Sequence, residues 1–201
     1  MSLITKYYFK GDIMLTSGQL DNITSWIATY EDDILNKLLG YELNTLLQAD
    51  LNGTSEPTAQ RFKYLVDGDT FTFDFKSNSI TKKFNGIRNK TMLTSLISYY
   101  VYYQYRNETE DFNSGAGQKH SATENSIDID VRPKLISNWN KMVELYGAVP
   151  YNYCDADLFI NSDTYIHYNS YASVYNFLLA NIDTYPEWVF EPIEKLNIWG
   201  I

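Results

Sequence analysis

Apolar residues recur at spacings of three and four from Leu20 through Ile23, Ile27, Tyr30, Ile34 and Leu38. That is one face of an α-helix. Thr16 or Ser17 precedes the run and offers a hydroxyl to an orphan backbone N–H, so the helix is expected to begin there. Gly40 can turn left-handed after a last turn and is expected to end it. The pattern restarts at once, with Leu43, Leu46, Leu47 and Leu51 forming a second, shorter stripe over 41–51. Residues 3–14 have no clean period and read as an extended or irregular lead-in.

Asn52-Gly53-Thr54-Ser55-Glu56-Pro57 is turn chemistry, and Thr58 to Val66 reads as a third short helix. After Asp67-Gly68-Asp69 the period changes to two: Thr70-Phe71-Thr72-Phe73-Asp74-Phe75 alternates as a strand does. Ile80 to Phe84 is the expected return strand. Phe84 to Arg106 then reads as one long helix of roughly 30 Å. Its apolar positions Leu93, Leu96, Ile97, Tyr100 and Tyr103 are joined by bulky residues on the other sides, the pattern of a helix packed on several faces. Leu93 to Tyr100 is the expected centre of the molecule. Five tyrosines in the seven residues from Tyr99 to Tyr105 cannot share one face, so the end around Tyr102 to Tyr105 is expected at the surface.

Residues 107–123 are polar and turn-rich and read as an exposed loop; 123–131 reads as helical. Pro133 pushes Arg132 out of helical geometry and itself suits a first helical turn. Leu135, Trp139, Met142 and Tyr146 then share a face, and Gly147 closes the helix. Residues 148–169 are aromatic-rich without a period. An insertion of that length is uncommon in a compact domain unless it is functional or docks on something. Tyr171 to Ile182 is the last expected helix, and 183–201, with Pro186, Trp188, Pro192 and Trp199, an irregular arm packed against the rest. The expected fold class is mainly α: a single-domain helical bundle over residues 1–201, built around a long central helix, with a small β-hairpin and an irregular C-terminal arm. A chain of 201 residues can bury such a core without disulfides or metals.

The formal net charge of −9 argues against a protein that holds nucleic acid by its phosphates. It fits plain solubility, and also a surface past which nucleic acid slides without sticking. The single cysteine, Cys154, rules out an internal disulfide and reads as a small, partly buried residue. The 18 tyrosines, 10 phenylalanines and 4 tryptophans are the unusual feature, because tyrosine and tryptophan favour protein interfaces. The candidate interface residues are Tyr102, Tyr103 and Tyr105 on the central helix; Tyr151, Tyr153, Phe159 and Tyr165 in the insertion; and Trp188 and Trp199 in the arm. Residues 1–15 have no continuous apolar core, so no signal peptide is expected. The central helix is interrupted by Thr91, Thr94, Ser95, Ser98 and Gln104, so no membrane span is expected either.

Catalytic chemistry finds little purchase. Gly115-Ala116-Gly117-Gln118-Lys119-His120-Ser121 has the wrong spacing and context for a phosphate loop. Asp128 and Asp130, like Asp155 and Asp157, lie two apart, and residues two apart on a helix do not face each other. His120 and His167 have no cysteine or carboxylate at ligand spacing. No nucleophile-elbow sequence is present, although a Ser-His-Asp set assembles in space and stays open on sequence alone. No catalytic, metal or cofactor residue is nominated, and an enzyme is not expected.

Several segments, in this order, carry a family likeness. They are Ile27-Ala28-Thr29-Tyr30-Glu31; Leu38-Leu39-Gly40-Tyr41-Glu42-Leu43; Phe62-Lys63-Tyr64-Leu65-Val66-Asp67-Gly68; and Phe84-Asn85-Gly86-Ile87 leading into the tyrosine-rich helix. Further on come Trp139-Asn140-Lys141-Met142-Val143-Glu144-Leu145-Tyr146-Gly147, Tyr175-Asn176-Phe177-Leu178, Tyr185-Pro186-Glu187-Trp188 and Asn197-Ile198-Trp199-Gly200-Ile201. Together they resemble the head–tail connector (head-completion adaptor) proteins of tailed bacteriophages, in the variety found in phages of gut Bacteroidetes. Residues 148–169 match nothing in that family.

The resemblance implies a non-catalytic helical protein of the virion, assembled in the host cytoplasm. Such proteins form a homo-oligomeric ring, typically of twelve copies, beneath the portal protein. The ring extends the DNA channel and docks tail or further ring proteins. DNA passes the lumen without specific binding, and neither cofactor nor membrane is involved. A protein- or glycan-binding structural module that uses the aromatic 148–169 insertion is the second reading, and an enzyme the third.

Overall fold

Thr16 opens the first helix: its N–H is taken by the Gln19 side-chain oxygen at 3.0 Å, one half of a capping box. The computed structural model describes residues 2–75, 78–109, 111–114, 117–120, 132–147 and 171–197. In it α1 spans Ser17–Leu39 and α2 spans Tyr41–Leu51, as their stripes predict. Gly40 joins them at φ +78° and gives its N–H to Asn36 O. A buried Asn44 ties the two helices, donating from Nδ2 to Asp32 at 2.7 Å and to Asn36 at 2.9 Å. With 23 residues α1 is the longest element described, about 34 Å. Its Ile23, Ile27, Ile34, Leu35, Leu38 and Leu39 are buried.

α3 covers Gln60–Asp67, and Asp50 caps its start by accepting the Thr58 and Ala59 N–H groups at 2.8 and 2.9 Å. The period-two segment forms β1 (Asp69–Phe75), paired antiparallel with β2 (Asn78–Phe84), Asp69 opposite Phe84. Gly68 and Gly86 cross at the base of this hairpin with φ +91° and +81°. A Cβ on Gly68 would lie 2.3 Å from Phe84 O, and one on Gly86 2.3 Å from Val66 O, so only glycine allows the two turns to meet.

The long helix starts later than the sequence suggests. Arg88–Asn89 (β3) and Thr94–Ser95 (β4) pair as a small hairpin, with Leu93 at φ +48°, and α4 covers only Leu96–Thr109. Three local bonds account for this. Asn89 Oδ1 accepts the Met92 N–H at 2.8 Å, Ser95 Oγ accepts the Ile97 N–H at 3.1 Å, and the Ser95 hydroxyl donates to Ile87 O at 2.8 Å. An Asx-type turn followed by a serine N-cap outcompetes helical continuation. Leu96 and Ile97 are buried as expected, while Leu93, at the turn, is only partly so.

Residues 107–109 are exposed as expected of the 107–123 loop, but its described residues are regular structure and not loop. α4 extends to Thr109, and Asp111–Ser114 (β5) pairs antiparallel with Gly117–His120 (β6). Residues 123–131, 148–169 and 198–201, which carry the expected short helix, the insertion and the end of the arm, lie outside the described residues. α5 spans Arg132–Tyr146, with Pro133 in its first turn and Gly147 following at φ +75°. The last helix is shorter than the expected Tyr171–Ile182. Tyr171–Ala172 (β7) joins β2 in parallel, Ser173 Oγ caps by accepting the Asn176 N–H at 3.2 Å, and α6 covers Val174–Ala180.

α4 lies between α1 and α5. The three-stranded sheet packs on α6, Phe84 stacking on Phe177 at 4.3 Å and Phe71 meeting it edge-on at 5.5 Å. The fold is mainly helical, with its small sheet at one side. The irregular lead-in belongs to the core: Leu3, Ile4, Tyr8, Phe9, Ile13 and Leu15 are all buried.

Candidate functional site

The tyrosines of α4 point in two directions, and both are occupied by helices. Tyr105 meets Trp26 of α1 edge-on at 5.2 Å, and Tyr100 meets Tyr30 at 6.4 Å. On the other side Tyr103 packs on Trp139 of α5 at 4.9 Å, and the Lys134 ammonium lies over the Tyr102 ring. Tyr102 and Tyr105 are only 3 % and 7 % exposed and Tyr103 is partly buried. The expectation that this end of the helix opens to the surface is therefore corrected: the rings mortar α1, α4 and α5 together. Trp188 is likewise buried. Tyr151, Tyr153, Phe159, Tyr165 and Trp199 lie outside the described residues.

Tyr100 sits in a polar trio. Its hydroxyl donates to Asp33 and accepts from Lys37 Nζ at 2.8 Å, while Lys37 also bonds Asp33 at 2.7 Å. Burial, then the Asp33 bond, pushes the Tyr100 phenol up. A phenol held protonated is a donor and not a general base at neutral pH, so the trio acts as a strut between α1 and α4.

A second charged cluster clasps the lead-in. Arg88, with a side chain 3 % exposed, donates to Leu3 O at 2.7 Å, Asp67 at 2.8 Å and Glu56 at 3.1 Å. Lys90 adds a bond to Asp67 at 2.9 Å. From the other side the buried Glu31 carboxylate accepts the Leu3 N–H at 2.8 Å and the Ile4 N–H at 3.4 Å. Burial pushes Glu31 up to about 7, against these N–H bonds and the Arg88 charge.

The C-terminal arm is held along its whole described length. Tyr185 donates to Arg61 O at 2.6 Å and Arg61 pairs with Glu187 at 3.1 Å, fixing the arm to α3. Trp188 Nε1 donates to Leu38 O at 3.0 Å, satisfying a carbonyl that the last turn of α1 leaves open. Val189 then rests on Gly40, where a Cβ would come within 3.2 Å of the valine Cβ. This close seat brings together an outward-facing apolar corner. Tyr41 is 80 % exposed, Val189 63 % and Phe190 43 %, with Phe190 leaning on Tyr175 at 5.0 Å and Trp188 at 6.1 Å. No clustering in the sequence marks Tyr41 and Val189, because the arm and the α1–α2 corner are far apart along the chain.

The outer face of α5 carries a polar groove of about 410 Å³ lined by Asp12, Ser137, Lys141, Glu144 and Lys195 among others. Glu144 and Lys195 pair across it at 2.8 Å. Asn138 also lines it, and its buried Nδ2 has no hydrogen-bond partner among the described residues. Among the described residues no group of three or more His, Cys, Asp or Glu is placed to hold a metal, and no helix is long and apolar enough to cross a membrane. No family model matches the chain, and no curated protein or solved structure matches it either.

Proposed function

We propose that the chain is a structural protein of a tailed-phage virion, a head–tail connector that forms a ring beneath the portal, extends the DNA channel and docks tail proteins. The observation that carries the reading is the apolar corner of Tyr41, Val189 and Phe190. Exposed apolar residues grouped together are what a protein–protein contact uses. In a ring, one patch of each copy meets a different patch of the next, and the corner supplies one of the two patches such a contact needs. The −9 charge suits a lumen that DNA crosses without being trapped. No catalytic step is assigned to any residue.

The test is to mix the purified chain with the portal protein of the same phage and image the product by negative-stain electron microscopy. A ring of extra density on one end of the portal is expected, and the double variant Tyr41→Ser/Val189→Ser should lose it while keeping its far-UV circular dichroism. Unchanged ring formation by the variant removes the corner from the reading. Portal rings that stay bare at every concentration of the unaltered chain overturn it.

A further inference from the structure

The C-terminal arm has two parts that are attached in different ways. Up to Trp188 it is anchored by side chains: Tyr185 and Trp188 are buried, and Glu187 is paired with Arg61. Beyond Phe190 it is held by main-chain bonds together with the buried Ile193 side chain and the Lys195–Glu144 pair. Tyr146 of α5 donates to Glu191 O at 3.1 Å, and Trp139 Nε1 donates to Glu194 O at 2.8 Å. Asn140 grips one residue from both sides, donating to Leu196 O at 2.9 Å and accepting the Leu196 N–H at 2.8 Å. Of residues 189–197 only Ile193 is buried. The flank of α5 is thus a short ladder of donors and one acceptor that reads an extended backbone.

The joint between the two parts is Val189-Phe190-Glu191-Pro192, and all four residues are exposed. Pro192 keeps Glu191 extended and fixes its own φ, so the joint favours a projecting path over a turned-back one. The contacts made by 191–197 are the same whichever copy supplies the segment, since its backbone bonds, the buried Ile193 and the Lys195–Glu144 pair carry no mark of chain identity. Exchange of an identical element is a low-cost route to association. What opposes it is only the effective concentration of the tethered segment, on the order of millimolar for a short link.

We propose that the flank of α5 is an exchange site, at which residues 191–197 of a second copy of this chain replace the copy's own segment. Dilute chains keep the segment in place. Crowded or aligned chains lend it to a neighbour, with the apolar corner beside the joint covered in the process. The proposal needs only the geometry of α5 and the arm, and stands or falls independently of the virion reading.

Two single-cysteine chains test it, both carrying Cys154→Ser: one with Glu144→Cys, the other with Lys195→Cys. Neither change removes a main-chain bond. The two are mixed at about 1 mM, where exchange competes with the tether, and treated with a short thiol-to-thiol crosslinker. The expected product is a dimer joining one chain of each kind. It should exceed by several-fold the product from Glu144→Cys mixed with Thr29→Cys, whose cysteine sits on the exposed side of α1, and should rise with concentration. A chain carrying both Glu144→Cys and Lys195→Cys should crosslink to itself at micromolar concentration. If that double variant crosslinks only to itself and the mixture gives no more dimer than the Thr29→Cys control, exchange does not occur. If the double variant fails to crosslink at all, the arm does not lie on α5 and the proposal falls with it. Should Cys154→Ser impair folding, Cys154 is kept and the crosslinked peptides are identified by mass spectrometry, which separates the engineered pair from any product at Cys154.

Discussion

Glu31 holds two successive backbone N–H groups of the lead-in, yet burial lifts its titration from the ordinary 4.5 to about 7. The folded protein therefore keeps a proton that the unfolded chain has released between those two values. Stability from this group is fully present below pH 4.5, declines as pH rises to about 7, and is flat above. The linked loss is about 3 kcal/mol. Urea unfolding at pH 5 and pH 8 should report it as a lower midpoint at pH 8. Glu31→Gln, which retains an acceptor but cannot ionise, should flatten that difference; an unchanged pH slope would show that Glu31 is not its source. At the hairpin base, Gly86→Ala adds a Cβ 2.3 Å from Val66 O at a positive φ. A cost of about 2–3 kcal/mol is expected, read as a lower thermal midpoint. Such residues are silent in the sequence. Glu31 falls on the buried face of an otherwise regular helix, and its partners are 27 and 28 positions away.

At the scale of elements, Ser95 decides where α4 begins. Ser95→Ala removes both the acceptor for the Ile97 N–H and the donor to Ile87 O. It should cost about 1–2 kcal/mol in chemical unfolding, while Ser95→Asp, which keeps the cap acceptor, should recover part of that. Trp188→Phe should cost a similar amount by leaving Leu38 O without its indole partner. The sequence predicts α1 and α2 because a clean stripe ends on a glycine with room to turn, and β1–β2 because its period is two. It misleads at Arg88–Ser95, where Leu93, Leu96 and Ile97 continue a helical spacing although the backbone bonds of Asn89 and Ser95 end it. The tyrosines mislead for a related reason. A period states how many faces of a helix are apolar, and says nothing of whether the second face meets water or another helix. Nor do spacings reveal that an arm with two prolines will grip α3, α1 and α5 in turn through single hydrogen bonds.

For the molecule as a whole, the two ends of the chain close the fold. The arm's attachments predict a graded response to shortening. A chain ending at Phe190 loses the bonds of 191–196 to α5 but keeps Tyr185 and Trp188 in place, and it should fold with a reduced midpoint. A chain ending at Asn181 also loses two buried aromatic side chains, each worth about 3–5 kcal/mol. With total stabilities of about 5–15 kcal/mol, that chain should be largely unfolded by circular dichroism. Similar melting of the two truncations would show that the side-chain anchors of the arm carry no special weight.

The indole of Trp188 completes a helix turn made 150 positions earlier, and the Arg88 guanidinium secures a carbonyl 85 positions before it. The consequence concerns time. On the ribosome, α1 emerges early but its last turn cannot be closed until residue 188 has been released. Folding built on pairings of such sequence separation is slow compared with that of a simple bundle. Chains stalled before residue 185 would leave Leu38 O and the Gly40 turn uncovered, and so the α1–α2 corner open to proteases. The closing of α1 thus waits on a residue made 150 positions later.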